Sequence, residues 1–215
     1  MIKILGKENS VLNHFIAEIR DEEIQKDRMR FRKNMERIGE IFAYEISKKL
    51  KYEKRKVVTS LGIANVSVLK EQPVLATILR AGLPLHQGIL NFFDHADNAF
   101  ISAYRKHHKD GTFDVKLEYL SSPDLNKRIL ILSDPMLATA QSMVLAYKAI
   151  LLKGKPSRTH VVCVIASKEG VKYLKTHLPS NIDIWIGAVD EELTAQSYIV
   201  PGLGDSGDLA FGDKM

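Results

Sequence analysis

The chain has 215 residues, 45% of them hydrophobic and 27% charged, with a formal net charge of +5 at pH 7. That length and apolar share suit one core-burying domain spanning residues 1–215. No apolar run reaches about eighteen residues, and MIKILGKENS lacks a long apolar segment ahead of a small-residue cleavage site, so neither a membrane span nor a secretory signal is expected and the expected compartment is the cytoplasm.

Residues 1–56 hold 15 Lys and Arg against 10 Asp and Glu, and the remainder of the chain holds 16 of each, so the whole positive excess is N-terminal. There the signs alternate, as in RDEEIQKDRMRFRKNMER, and with Phe31 its one aromatic residue no series of stacking platforms is interleaved. This is the pattern of a solvated helix face, and it argues against nucleic acid as a partner.

From Asp21 to Leu50 the apolar residues Phe31, Met35, Ile38, Phe42, Ile46 and Leu50 recur at steps of three and four, which predicts one long amphipathic helix. Residues 1–56 are thus expected to form a helical arm that packs or makes a subunit contact. A basic, β-branched connector follows, KVVTSLGIANVSVLK. Short aliphatic runs then alternate with helical stretches: VLATIL and PLHQGILNFF; AFISAY; RILIL and TAQSMVLAYKAILL; HVVCVIA and SKEGVKYLKTH; IDIWIGAV. Runs without polar alternation suit strands buried on both faces, so the expected fold class is α/β, a doubly wound and mainly parallel sheet flanked by helices. The single cysteine, Cys163, lies inside one such run and reads as a buried strand residue. Residues 107–126 are polar and read as an irregular flap, and the glycine-rich tail from Tyr198 also reads as irregular.

Ligands of doubly wound sheets bind outside the carboxyl ends of the strands. The residues there are Arg80 in ILRAG, Arg105 in AYRKHH, Asp134 in LSDPMLATAQS, the stretch ASKEG and the segment opened by AVDEEL. Two arginines, an acid and a Thr- and Ser-bearing strand-to-helix turn suit a ligand with several phosphates, because a guanidinium binds phosphate bidentately and a helix N-terminus offers unsatisfied N–H groups. The plainer alternatives are surface ion pairs for the arginines and simple capping by Thr139 or Ser142. The tail YIVPGLGDSGDLAFG, with Gly202, Gly204 and Gly207 interspersed with Asp205 and Asp208 after Pro201, suits a loop whose backbone hydrogen-bonds a flat polar ring. Adjacent His107 and His108 point to opposite sides of a strand, which argues against a metal pair.

Taken together, ILRAG, AYR, SDPMLATxxS, YIVPGLGDxGDxxFG and the segment RDEEIQKDRMRFRKNMERIGEIFAYE resemble the uracil phosphoribosyltransferases over nearly the whole chain. The resemblance implies transfer of a ribosyl phosphate from 5-phosphoribosyl diphosphate (PRPP) to uracil, giving UMP and pyrophosphate in pyrimidine salvage, with Mg²⁺ on the diphosphate. It implies that Arg80 and Arg105 grip the diphosphate side and that Asp134 faces the ribose hydroxyls. Asp134, Pro135, Met136, Leu137, Ala138, Thr139, Ala140, Gln141 and Ser142 would hold the 5′-phosphate, while Ile199, Gly204, Asp205 and Ser206 would bind uracil. Asp205 would also reach PRPP and, through it, the metal. Asp134, Arg105 and Asp205 are accordingly the expected catalytic residues, residues 106–126 a closing flap, and 198–215 a base-binding hood. The family further implies a homodimer or larger homo-oligomer, with GTP as an effector in some relatives.

The sequence departs from the family where ATGGS is usual and ATAQS stands. Either Ala140 and Gln141 keep ordinary helical dihedrals, with the Gln amide as a substitute donor, or phosphate binding is impaired. The second branch leaves open a catalytically weakened member that binds uracil, UMP or PRPP as a sensor or partner subunit; a transferase for another base is a further alternative. Ser206 replaces an alanine, and Tyr119 stands roughly where a lysine is usual.

Overall fold

A computed structural model of the chain describes residues 1–107 and 113–213, apart from the side chains of 103–117. In chain order the elements are β1 (Ile2–Ile4), α1 (Val11–Arg20), a 3-10 turn (Ile24–Lys26), α2 (Arg28–Ser47), β2 (Tyr52–Thr59), β3 (Gly62–Leu69), β4 (Val74–Leu79), α3 (Leu83–Phe92), β5 (Asp97–His107) and β6 (Phe113–Ser121). They continue with β7 (Ile129–Ser133), β8 (Met136–Leu137), α4 (Gln141–Ile150), β9 (Arg158–Ser167), α5 (Lys168–His177), β10 (Asp183–Asp190), β11 (Glu192–Leu193), β12 (Ile199–Val200) and α6 (Ser206–Phe211). The main sheet runs β1-β10-β9-β7-β4-β5-β6, with β8 also paired to β9. All of its pairings are parallel except β5 with β6.

Alternation along each strand divides the core in two. Ile129, Ile131, Val162 and Val164 face a layer that includes Phe31, Met35, Ile38, Phe42, Ile46, Leu85 and Ile89. Leu130, Leu132, Val161 and Cys163 face Met143, Val144, Tyr147, Ile150 and Leu174. Helices α1, α2 and α3 therefore cover one side of the sheet, and α4 and α5 the other. The doubly wound expectation holds. Burial pushes the Cys163 thiol far above its ordinary pKa, so it is a core residue and an unreactive one.

Four sequence expectations change. The predicted helix from Asp21 begins at Arg28, because the Asp27 carboxylate accepts from the Met29 and Arg30 amides at 3.0 Å and caps it. Its apolar face is buried within the chain's own core. The basic connector is an antiparallel hairpin, β2 with β3, exposed along all of β2. The stretch read as irregular includes β6, paired antiparallel to β5 at the sheet edge; residues 108–112 of that stretch, His108 among them, lie outside the described residues. The tail contains the short helix α6.

At the amino ends of β9 and β10, fully buried His160 accepts a hydrogen bond at Nδ1 from Trp185 Nε1–H (3.1 Å), and its Nε2 has no partner among the described residues. Burial, with Arg158 nearby and against the pull of Asp183, lowers its pKa from 6.5 to about 4. The unfolded chain therefore binds the proton more tightly between those values. The stability this gives is complete above pH 6.5 and is lost as the pH falls through about 4, by up to roughly 3 kcal/mol. Thermal melts from pH 7 to 4.5 are expected to show that slope, and His160→Gln, which keeps an acceptor for Trp185, is expected to flatten it; an unchanged slope in the variant would remove His160 as the cause.

Candidate active site

The strand order reverses direction at β4: its successor β5 lies on one side and β7 on the other. The crevice at such a switch point opens between the loops that follow the two strands. Those loops are Arg80–Gly82 and residues 134–140, so Arg80 and Asp134, 54 residues apart in sequence, become neighbours in the fold. Side-chain bonds stitch the two strand ends together: Thr77 Oγ1 donates to the Ser133 carbonyl and Ser133 Oγ to the Ala76 carbonyl, each at 3.2 Å.

The first loop is tight. It follows a cis Leu79–Arg80 peptide, and the Gly82 amide donates to the Ile78 carbonyl (3.0 Å). A Cβ at Gly82 would sit 2.1 Å from Thr77 Oγ1, so this position accepts only glycine without rearrangement.

The second loop is pinned from beneath by β9. The Pro135 carbonyl accepts from the Val164 and Ile165 amides at 3.0 Å, and Met136 and Leu137 pair with Ile165 and Ala166 as β8. Ser167 Oγ donates to the Ala138 carbonyl (2.6 Å) while accepting from the Gly170 amide (2.8 Å). Gly170 lets α5 come close, since its Cβ would fall 2.4 Å from that same carbonyl. The stretch ASKEG is thus a support for the turn. Asp134 Oδ1 accepts from the Met136 amide at 3.4 Å.

Ala140 adopts φ 63° and ψ 3°, the left-handed conformation. The first alternative offered by the sequence, ordinary helical dihedrals at 140, is therefore replaced by a third: the alanine takes the shape a glycine would, at a cost of roughly 1 to 2 kcal/mol. Packing holds it there, with Ala140 buried in the second core layer. Gln141 is the first residue of α4, as expected. Thr139 and Ser142 do not cap: no side chain caps α4, nor α3 at Gly82, whereas α1, α2, α5 and α6 are capped by Ser10, Asp27, Ser167 and Asp205. Of the two helices that start at the crevice, α4 leaves its N-terminal N–H groups for an anion, whereas in α3 the Leu83 amide donates to the Arg80 carbonyl (3.2 Å) and Pro84 carries no N–H.

The tail closes over the first loop. Arg80 Nη2 donates to Asp208 Oδ1 at 2.9 Å and to the Gly212 carbonyl at 3.1 Å. Asp205 Oδ1 accepts from the Gly207 and Asp208 amides at 2.8 and 3.0 Å, shaping the turn that begins α6. Ile199 is buried on β12, Gly204 has φ 92°, and buried Ser206 has a hydroxyl without a partner among the described residues. A cavity of about 380 Å³ lies between Gly204, Asp205 and Asp208 on the tail and Gln25, Lys26 and Arg28 on the N-terminal segment. Arg105 extends β5 three residues past Ser102, the partner of Leu79, which places its backbone beside the Arg80 loop. Its side chain lies outside the described residues. Sequence reasoning missed Asp208 as the partner of Arg80, and Lys26 and Arg28 as a wall of the tail; only the fold brings these together.

A parallel sheet with an anion-ready crevice at its switch point and a tail folded over one loop is the architecture of a phosphoribosyltransferase. The adenine phosphoribosyl transferase of Trypanosoma brucei, solved with AMP, pyrophosphate and ribose-5-phosphate, shares this fold at a TM-score of 0.56 and 13% identity, over 88% of this chain and 83% of that one. The AQ2163 protein of Aquifex aeolicus matches more closely, with a TM-score of 0.86 and 30% identity over 99% and 98% of the two chains.

The chain belongs to the uracil phosphoribosyltransferase family, whose model matches residues 6–213. The uracil phosphoribosyltransferase of Porphyromonas gingivalis is 56% identical over 211 residues, 98% of each chain. That of Pyrococcus furiosus is 33% identical over 212 residues, 97% of this chain and 89% of its own. Membership makes the chain a pentosyltransferase, and it supports the enzyme over the weakened binding protein.

Proposed function

We propose that this crevice transfers the phosphoribosyl group of PRPP to N1 of uracil, yielding UMP and pyrophosphate. The observation that carries the assignment is the uncapped N-terminus of α4 at the switch point beside a tail tied onto Arg80. In this reading the turn from Asp134 to Ser142 receives the 5′-phosphate on the α4 amides. Arg80 and Arg105 hold the diphosphate, and Asp134 orients the ribose hydroxyls. The backbone at Ile199, Gly204, Asp205 and Ser206 reads the edge of the uracil ring.

Charge dictates the rest. As the C1′–O bond to pyrophosphate breaks, the ribosyl centre becomes cationic and the leaving group strongly anionic, as in glycoside chemistry. The Arg80 guanidinium, fixed before the reaction, stabilises that anion without reorganising, and the two loops hold C1′ in line with uracil N1. No side chain is needed as a nucleophile.

Phosphoribosyltransferases in general use Mg²⁺ with PRPP, and the residues present fit it. Mg²⁺ prefers one or two carboxylates together with substrate phosphate oxygens and water, and no three-residue His, Cys, Asp or Glu cluster occurs among the described residues. In this reading Asp205, on the tail beside Arg80's partner Asp208, would be the carboxylate that assists. When bound, the ion neutralises diphosphate charge.

The chain is read as a cytoplasmic homo-oligomer. No helix among the described residues is long and apolar enough to cross a membrane. A two-stranded hairpin is marginal alone, and this one exposes Val58, Leu61 and Ile63, which favours a second copy as its cover. A monomer in sedimentation velocity would refute that. GTP belongs in the assay as a candidate effector.

Formation of UMP from uracil, PRPP and Mg²⁺, followed spectrophotometrically with cytosine as the competing base, tests the assignment. Turnover with uracil alone is expected, and silence across a wide PRPP range would overturn it. Ala140→Gly is expected to leave the PRPP KM within about threefold, because the backbone already holds the left-handed shape. Its stability is expected to change by less than about 1 kcal/mol, strain relief being offset by the lost methyl and the looser unfolded chain.

A further inference from the structure

Asp190, buried at the end of β10, accepts two hydrogen bonds from Arg20 at the end of α1: Nη1 to Oδ2 and Nη2 to Oδ1, each at 2.8 Å. The same pair grips one residue of the tail from both sides. Arg20 Nη1 donates to the Gly202 carbonyl (2.9 Å), and the Gly202 amide donates to Asp190 Oδ2 (2.9 Å). Gly202 has φ 56°, and a Cβ there would lie 2.1 Å from the Ile199 carbonyl, so the chain doubles back at this point. Ile199 and Gly204 flank the turn.

We infer that Arg20 and Asp190 are positioning residues for base recognition: their fork-to-fork pair fixes the peptide groups on both sides of Gly202 and so sets the angle at which the backbone from Ile199 to Gly204 meets the ring. Burying an ion pair seldom adds net stability over apolar packing, so its worth lies in the one conformation it enforces. Neither side chain hydrogen-bonds the phosphate turn or the Arg80 loop among the described residues, so the effect of changing them falls first on the base and spares PRPP. The inference rests on uracil being read by this tail.

Two substitutions test it in the full-length protein. Asp190→Asn keeps an acceptor for the Gly202 amide but breaks the charge pair, and Arg20→Lys keeps the charge but loses the fork. The uracil KM is expected to rise at least tenfold in Asp190→Asn and less in Arg20→Lys, with the PRPP KM within twofold of the parent in both. Hydrogen exchange supplies a readout that needs no turnover. Peptides covering 198–204 are expected to exchange at least tenfold faster in Asp190→Asn, with those covering β9 unchanged. A parent enzyme inactive with uracil would defeat the assignment of the base and leave the exchange result to decide the clamp. Equal rises in both KM values, or exchange at 198–204 unchanged in Asp190→Asn, would overturn the clamp itself. If Asp190→Asn does not fold, Arg20→Lys decides by the same two readings.

Discussion

Arg80→Ala is expected to lower kcat/KM for PRPP by about a thousandfold, some 4 kcal/mol of transition-state stabilisation. The guanidinium stands at the carboxyl end of β4, on a loop that accepts no Cβ at Gly82, and is further fixed by Asp208 and the Gly212 carbonyl. A donor held that firmly need not reorganise when the diphosphate leaves, which is where an electrostatic group contributes most. Arg80→Lys is expected to recover less than a tenth of the loss, because an ammonium cannot span two oxygens in one plane. The uracil KM is also expected to rise in Arg80→Ala, since the tail loses an anchor. Stability is expected to stay within about 1 kcal/mol, the pair with Asp208 being partly exposed. Steady-state kinetics on both substrates checks this; a loss of less than tenfold would mean that Arg80 does not carry the leaving-group charge.

The second large effect is structural. Gly88 on α3 meets α2 so closely that an added Cβ would lie 1.8 Å from the Glu36 carbonyl oxygen, and reciprocally a Cβ at Gly39 on α2 would lie 2.3 Å from the Leu85 carbonyl oxygen. On an exposed helix, Gly→Ala stabilises by about 1 kcal/mol. Here the clash is with backbone, which cannot rotate away, so the helices must separate and the packing of Ile38, Phe42, Leu85 and Ile89 loosens. Overpacking of that kind costs about 1 to 3 kcal/mol or more beyond the propensity gain. Gly88→Ala is therefore expected to lose about 2 to 4 kcal/mol in urea unfolding at unchanged m, and Gly39→Ala to shift in the same direction. A variant as stable as the parent would mean that the two helices do not cross through these glycines. Because α3 begins at Gly82, loosening it is also expected to reduce activity by displacing the Arg80 loop.

Much of this was readable from local pattern. Aliphatic runs in β4, β7, β9 and β10 announced strands buried on both faces, and their alternation with helices announced a doubly wound sheet. The strand-end rule then pointed to Arg80 and Asp134 without reference to side-chain geometry. Short or two-faced elements escaped: β1 has three residues and α6 six, too few for a period to register. The hairpin of β2 and β3 is apolar and basic on both faces, so it lacks the alternation that marks a half-buried strand.

At Ala140 the sequence posed a choice that local physics could not settle. An isolated alanine avoids positive φ, and only the grip of β9, Ser167 and α5 on the preceding residues, with the burial of its own methyl, holds it at 63°.

What the sequence determined by itself was therefore the class of fold, the chemical character of the crevice and the family, because these reside in periodicity and in contiguous motifs such as DPMLAT and YIVPGLGD. The tertiary structure decided which residues act together: Arg80 with Asp208, Arg20 with Asp190 and Gly202, Ser167 with Ala138. These contacts join residues 128, 170 and 29 positions apart. No local spacing encodes such pairings; they follow from the order in which the strands lie in the sheet and from the hydrogen bonds that buried polar groups must find.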